Sequence, residues 1–253
     1  MNYLQPKFSQ KLFKKLQNKI SLYSSKNAKS SISPWLSPIL YYLSAYGILP
    51  FFFGKVDVSG VENIPSNCPV ILAPIHRSRW DGIILAVTTG KLTTGRDLHY
   101  MVTSNELKGI QGWLIRKMGG FPVNTIFPKI SSFRHSVELL KEKKMLVIFP
   151  EGDIFRDGKV HTLKRGLARI ALEVEKKYPQ SNTKIVPIAI EYSDCLPTWG
   201  TDVNVKIGKP LNVAYYQTKV KEEAKKLTLD LQKKLEELSE KKFKSGEVLP
   251  IIY

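Results

Sequence analysis

Three stretches of this sequence are apolar at consecutive positions rather than at alternate ones: "VILAPI" at 70–75, "MLVIFP" at 145–150 and "IVPIAI" at 185–190. A strand sends successive side chains to opposite faces. Continuous apolar runs of strand length therefore fit strands covered on both sides, as in a mainly parallel sheet enclosed by helices. Segments of helical character lie between them, "DGIILAVTTG" at 81–90, "ISSFRHSVELLKEKK" at 130–144 and "LKRGLARIALEVEKKY" at 163–178. "VDVSG", "LHYMVTS" and "VNVKIG" are further strand candidates. This alternation predicts an α/β domain over 55–253, with a mixed, mainly buried sheet flanked by helices. Its tail, 218–243, reads as one amphipathic helix whose seam of Val220, Ala224, Leu227, Leu231, Leu235 and Leu238 docks on the domain.

Residues 1–54 follow another pattern. Phe8, Leu12, Leu16 and Ile20 recur every four residues among Lys7, Lys11, Lys14, Lys15, Lys19, Lys26 and Lys29. That predicts a basic amphipathic helix, of the kind that lies on anionic lipid or packs on its own domain. "PWLSPILYYLSAYGILPFFF", 34–53, is 20 residues without a charge. Pro34, Pro38, Gly47 and Pro50 interrupt it, and its Trp and Tyr suit an interface. The expectation is a membrane-associated segment, a helix or bent helical hairpin embedded in the cytoplasmic side of one leaflet, with a spanning helix as the alternative. No cleaved signal peptide is expected, because the basic region is too long and no convincing small-residue cleavage site follows. The whole chain carries 39 Lys+Arg against 22 Asp+Glu, a net charge of +17, so its partners are expected to be anionic. No nucleic-acid motif accompanies that charge, and membrane lipid is the favoured partner. Cys68 and Cys195 stand apart without a CxxC, which suits a reducing compartment.

Two clusters could carry chemistry. In "APIHRSRWDG", His76 and Asp81 follow a predicted strand. Five residues apart, they face away from each other on a straight helix or strand and meet only across a bend. A strand ending near Ile75 and a helix opening at Asp81 supply that bend. Asp81 could then fix one imidazole tautomer and leave the other nitrogen as a base. The plainer alternative is a surface histidine beside a helix start. The second cluster, "FPEGDIFRDGKVH" at 149–161, sets Glu151 and Gly152 at a strand end, where α/β sheets gather ligands, with Arg156, Lys159 and His161 in the same loop. Its alternative is a solvated turn. "GGFPVN", 119–124, reads as a glycine-bent apolar loop. G-x-S-x-G, P-loop and H-E-x-x-H signatures are missing, and nothing in the spacing speaks for a metal site.

In order, "HRSRWD", "GGFPVN", "FPEGDIFRDG" and "IVPIAI" resemble the four blocks of the glycerolipid acyltransferase superfamily, specifically the 1-acylglycerol-3-phosphate acyltransferases, over roughly 56–210. The resemblance implies that His76 acts as general base and Asp81 orients it. Glu151, Gly152, Arg156 and Arg79 would hold the acceptor. An acyl-CoA or acyl-ACP would be the co-substrate, a lysophospholipid the acceptor and phosphatidic acid the product, with no cofactor and no metal. Where the family carries cations, this chain has Thr125, Ile154 and Ser104. Arg77, Arg79, Lys129, Arg156 or Lys164 could compensate. "HRS" also resembles the first block of glycerol-3-phosphate and dihydroxyacetone-phosphate acyltransferases. Two readings therefore stand beside the first: transfer to glycerol-3-phosphate or another lipid hydroxyl, and a non-catalytic protein that binds anionic membranes.

Overall fold

The computed structural model describes residues 29–124, 130–216, 220–240 and 249–250. The basic stripe of Phe8 to Ile20, Thr125 and Lys129 lie outside the described residues. The helices are α1 (Leu36–Leu43), α2 (Leu49–Phe52), α3 (Asp81–Thr89), α4 (Lys91–Thr94), α5 (Gly109–Lys117), α6 (Ile130–Lys141), α7 (Gly166–Lys177) and α8 (Val220–Glu240). The strands are β1 (Val56–Ser59), β2 (Val70–Pro74), β3 (Leu98–Thr103), β4 (Gly120–Val123), β5 (Met145–Val147), β6 (Lys184–Tyr192), β7 (Val203–Ile207), β8 (Leu211–Asn212) and β9 (Leu249–Pro250). They join in one sheet of order β4-β3-β5-β2-β6-β7-β1-β9, with β8 beside β6. The run from β4 to β6 is parallel, whereas β7 is antiparallel to β6. The sheet is therefore mixed and mainly parallel.

The continuous apolar runs occupy the middle of this sheet, as their composition requires. Val70, Ile71, Leu72 and Ala73 of β2 are all 0% exposed. Ile71, Ala73, Leu146, Ile185 and Ala189 form one face and pack with Val137 and Leu140 of α6, Leu167 and Ala171 of α7, and Leu227, Leu231 and Leu235 of α8. Val70, Leu72, Met145, Val147, Val186 and Ile188 form the other, against Ile84, Leu85 and Val87 of α3 and against Ala45, Leu49 and Phe53. Each such side chain contributes about 1.5–3 kcal/mol when fully buried. The tail helix docks on the domain through Ala224, Leu227, Leu231, Leu235 and a partly buried Leu238 of its predicted seam; the Val220 side chain lies outside the described residues.

Two elements differ from expectation. "GGFPVN" is no loop: Gly120–Val123 form β4, paired to β3 alone at the sheet edge. Pro122 is tolerated there because an edge strand has one side without ladder bonds. Gly119 before it has φ +89°, and a Cβ would meet the Leu98 carbonyl at 2.5 Å, so the entry to β4 needs glycine. Helix α5, "GIQGWLIRK", has no counterpart among the sequence-based expectations.

Of its two expected forms, the uncharged stretch 34–53 takes the helix rather than the hairpin, over Leu36–Phe52. A π-helical turn over Ser44–Ile48 joins α1 to α2. Among the described residues no helix is long and apolar enough to cross a membrane. Ser37, Tyr41, Ala45, Leu49 and Phe53 are buried on the domain. Trp35, Ile39, Tyr42, Leu43, Tyr46 and Phe51 stay more than half exposed, between 51% and 69%.

Candidate active site

Strand β2 stops at Pro74 because the chain turns out of the sheet there. The Ile75 amide still donates to the Ile188 carbonyl at 3.0 Å, and the next helix begins at Asp81. The intervening turn brings His76 and Asp81 together: His76 Nδ1 lies 2.8 Å from Asp81 Oδ2. The same oxygen accepts from the Arg77 amide at 2.7 Å and the Ser78 amide at 3.0 Å, so the carboxylate organises the turn that holds its own partner. Asp81 Oδ1 accepts from the Tyr192 hydroxyl at 2.5 Å. Asp81 is 0% exposed, and a buried carboxylate is tolerable only when donors surround it in this way.

Carboxylate oxygens only accept, so the shared proton sits on Nδ1 and the lone pair of His76 on Nε2. The ring stacks on Phe149, 3.9 Å between centroids at 24°, and its side chain keeps 21% exposure. Nε2 has no hydrogen-bond partner among the described residues. The arrangement is that of an oriented base with one reactive nitrogen.

The second cluster abuts the first because β5 lies beside β2. Glu151 is enclosed, at 3% exposure, with its carboxylate turned inward. Oε2 accepts from the His76 amide at 2.8 Å and Oε1 from the His161 amide at 2.9 Å. Arg77 Nη1 sits against both oxygens, at 3.1 and 3.3 Å. The guanidinium also donates to the carbonyls of His76, Phe155 and Lys159. Arg77, offered by sequence as a compensating cation, is thus buried and fully engaged in joining the two loops, which takes it out of the set available to an acceptor.

The other cations fall differently. Arg79 is exposed and paired with Glu106 at 2.8 Å, a surface ion pair worth little and easily exchanged. Arg156 is exposed and has no ion pair among the described residues. Gly152 has φ +73°, and a Cβ there would come within 2.5 Å of Lys164 Nζ, so the Lys164 side chain lies directly over this glycine. Ile154 is half-buried and makes no polar side-chain contact. Ser104 Oγ donates to the Val123 carbonyl at 3.2 Å, tying β3 to β4. His161 instead closes on Asp157 at 2.9 Å, which holds that carboxyl below its usual range, and stacks on Phe155.

Sequence reasoning missed Tyr192 and Phe149. Tyr192 is 111 positions from Asp81, and only strand order brings the end of β6 beside the start of α3. Burial, followed by the Asp81 charge, pushes its hydroxyl far above the ordinary tyrosine range, so it stays a donor.

An acyltransferase family model ("Acyltransferase") matches residues 55–191. The 1-acyl-sn-glycerol-3-phosphate acyltransferase of Bacillus subtilis is 30% identical over 197 residues, covering 74% of this chain and 90% of its own. The chloroplastic 1-acyl-sn-glycerol-3-phosphate acyltransferase LPAT1 of Arabidopsis thaliana is 26% identical over 180 residues, 67% of this chain; this chain spans about half of that longer relative, 46%. The crystal structure of the 1-acyl-sn-glycerophosphate acyltransferase PlsC from Thermotoga maritima shares the fold, with a TM-score of 0.62, 21% identity, and 83% and 82% of the two chains covered. With the four ordered blocks and the domain that carries them, these matches place the chain in the acyltransferase family, on the glycerolipid branch that includes the 1-acylglycerol-3-phosphate acyltransferases.

Proposed function

We propose that this protein moves a fatty acyl group from an acyl thioester, on coenzyme A or acyl carrier protein, to the free hydroxyl of 1-acylglycerol-3-phosphate, giving phosphatidic acid. The observation that carries the reading is the 2.8 Å His76–Asp81 bond, with Nε2 left without a hydrogen-bond partner among the described residues. In this mechanism His76 Nε2 takes the proton of the acceptor hydroxyl as its oxygen attacks the thioester carbon. The tetrahedral oxyanion collapses, the C–S bond breaks, and the imidazolium returns the proton to the thiolate. No acyl-enzyme forms. A positioned base of this kind contributes about 10²–10⁴ in rate. Asp81 keeps the tautomer and supports the imidazolium while it exists.

The acceptor phosphate is assigned to the cations on the rim of the third block. Arg156 and Lys164 are exposed there, and Gly152 leaves the backbone open beneath Lys164. Arg79 joins them by exchanging Glu106 for phosphate. Glu151 supports this rim from below through Arg77 and the two amides. The exposed aromatic row of α1 and α2 rests on the membrane at its cytoplasmic side, where the N-terminal lysines are drawn to anionic headgroups. Glycerol-3-phosphate is the second acceptor to consider, because "HRS" resembles the first block of enzymes that use it.

The test is transfer of labelled acyl groups from both carriers by purified protein in lipid. The acceptors are lysophosphatidic acid, glycerol-3-phosphate and a non-phosphorylated lipid alcohol, with His76→Ala as control. A His76-dependent product with lysophosphatidic acid is expected. Transfer to glycerol-3-phosphate alone would keep the chemistry and replace the acceptor; no transfer from either carrier by folded protein would overturn the enzyme reading.

A further inference from the structure

We propose that Tyr192, at the end of β6, is a positioning residue of the His76–Asp81 pair, acting through the hydrogen bond its hydroxyl donates to Asp81 Oδ1. The two oxygens of Asp81 have separate tasks. Oδ2 serves His76 Nδ1 and the Arg77 and Ser78 amides, all within 3.0 Å. Oδ1 has Tyr192 as its donor, at 2.5 Å, in a place where Asp81 is 0% exposed. A short bond of this length to an ionised acceptor is among the stronger kind. Without it, Oδ1 would be a buried anionic oxygen with no donor among the described residues, and the carboxylate would be held on its Oδ2 side alone. Tyr192 pins the second oxygen and so tightens the line between Oδ2 and Nδ1.

The ring of Tyr192 also packs, lying 6.2 Å from Phe53 between centroids, so a purely structural role is the competing explanation. The two are separable because the hydroxyl and the ring can be changed independently. Tyr192→Phe keeps the ring. It also leaves Arg77 and Glu151, the charged groups on the other side of His76, in place. Removing the donor leaves more negative charge on Asp81 facing His76, which favours the imidazolium and disfavours the free base. The acid limb of the pH–rate profile must therefore move to higher pH.

The kinetic arm rests on the acyl-transfer reading; a spectroscopic arm does not. The expected result for Tyr192→Phe is a kcat about tenfold lower with KM within about twofold, and an acid limb about half a pH unit higher. The downfield Nδ1–H resonance of His76, read by NMR without substrate, should move as well. Should the variant fail to fold, global replacement of tyrosine by 3-fluorotyrosine strengthens the phenol as a donor and should move that same resonance the opposite way. An unchanged acid limb and resonance, or a change confined to melting temperature, would overturn the proposal. If the wild-type protein transfers no acyl group, the resonance alone decides, and the failure then belongs to the functional reading.

Discussion

Replacing Glu151 by Gln tests whether the junction of the two loops depends on charge. The substitution conserves shape, so it opens no cavity. Glu151 receives four contacts: the His76 and His161 amides at 2.8 and 2.9 Å, and Arg77 Nη1 on both oxygens at 3.1 and 3.3 Å. A Gln side chain must turn its NH2 toward one of the two amides, setting donor against donor. It also leaves the guanidinium, whose side chain is 8% exposed, without its counter-charge. Removing one member of a buried pair costs about 3–5 kcal/mol. For a domain of this size that lowers the melting temperature by roughly 10 °C. Arg77→Met removes the other member, and the double variant removes both charges together. Its loss should fall short of the sum of the singles by about 2 kcal/mol. Urea unfolding of the four proteins reads the cycle directly. A Gln variant within about 1 kcal/mol of wild type, or strictly additive singles, would refute the account of this junction.

Acid should weaken the fold through His99, which is 7% exposed on β3. Burial first, then Lys144 and His135, lowers its pKa to about 4. The unfolded chain takes up that proton near the ordinary value of 6.5. Stability is therefore complete above about pH 6.5 and falls by up to about 3 kcal/mol as the pH drops to 4. His99→Gln should flatten that slope in urea midpoints measured across the range. Changing Tyr46 and Phe51 together to serine should weaken sedimentation with anionic vesicles at least several-fold while the melting temperature holds, since both side chains are more than half exposed. Gly152→Ala must hold φ near +73° and push Lys164 Nζ away; a cost of about 1–2 kcal/mol and weaker acceptor binding are expected, seen in melting temperature and KM.

What the sequence could disclose depended on how local the cause was. Continuous apolar runs at 70–75, 145–150 and 185–190 announced central strands, because burial on both faces leaves no other composition. The bend between His76 and Asp81 was legible for the same reason: a strand end and a helix start fall within five residues. "GGFPVN" misled because proline and paired glycines resemble a turn, and only its place at a sheet edge lets Pro122 lie in a strand. Arg77 looked like any loop cation; its burial follows from a carboxylate 74 residues away. Tyr192 gave no signal, since contacts made across strand order leave no local pattern. The stretch 34–53 resembled a wholly lipid-facing helix because its two faces are both apolar and differ only in what covers them.

The widened turn at Ser44–Ile48 has a geometric consequence for that helix. Its buried residues, Ser37, Tyr41, Ala45, Leu49 and Phe53, are spaced by four. On a regular helix each step of four overshoots a full turn by about 40°, so the row would wind about 160° around the rod from Ser37 to Phe53. A π turn advances each residue through a smaller angle and takes back a large part of that winding, about 90° over five residues. The rod thus keeps one side inward along its length, and Tyr46 and Phe51 share the outward side with Trp35. Forcing Ser44–Ile48 into regular helical geometry at the same length would rotate the two halves against each other by about a quarter turn. Leu49 would leave the core and Phe51 would turn toward it, so the width of this single turn sets which aromatic side chains the protein can present outward.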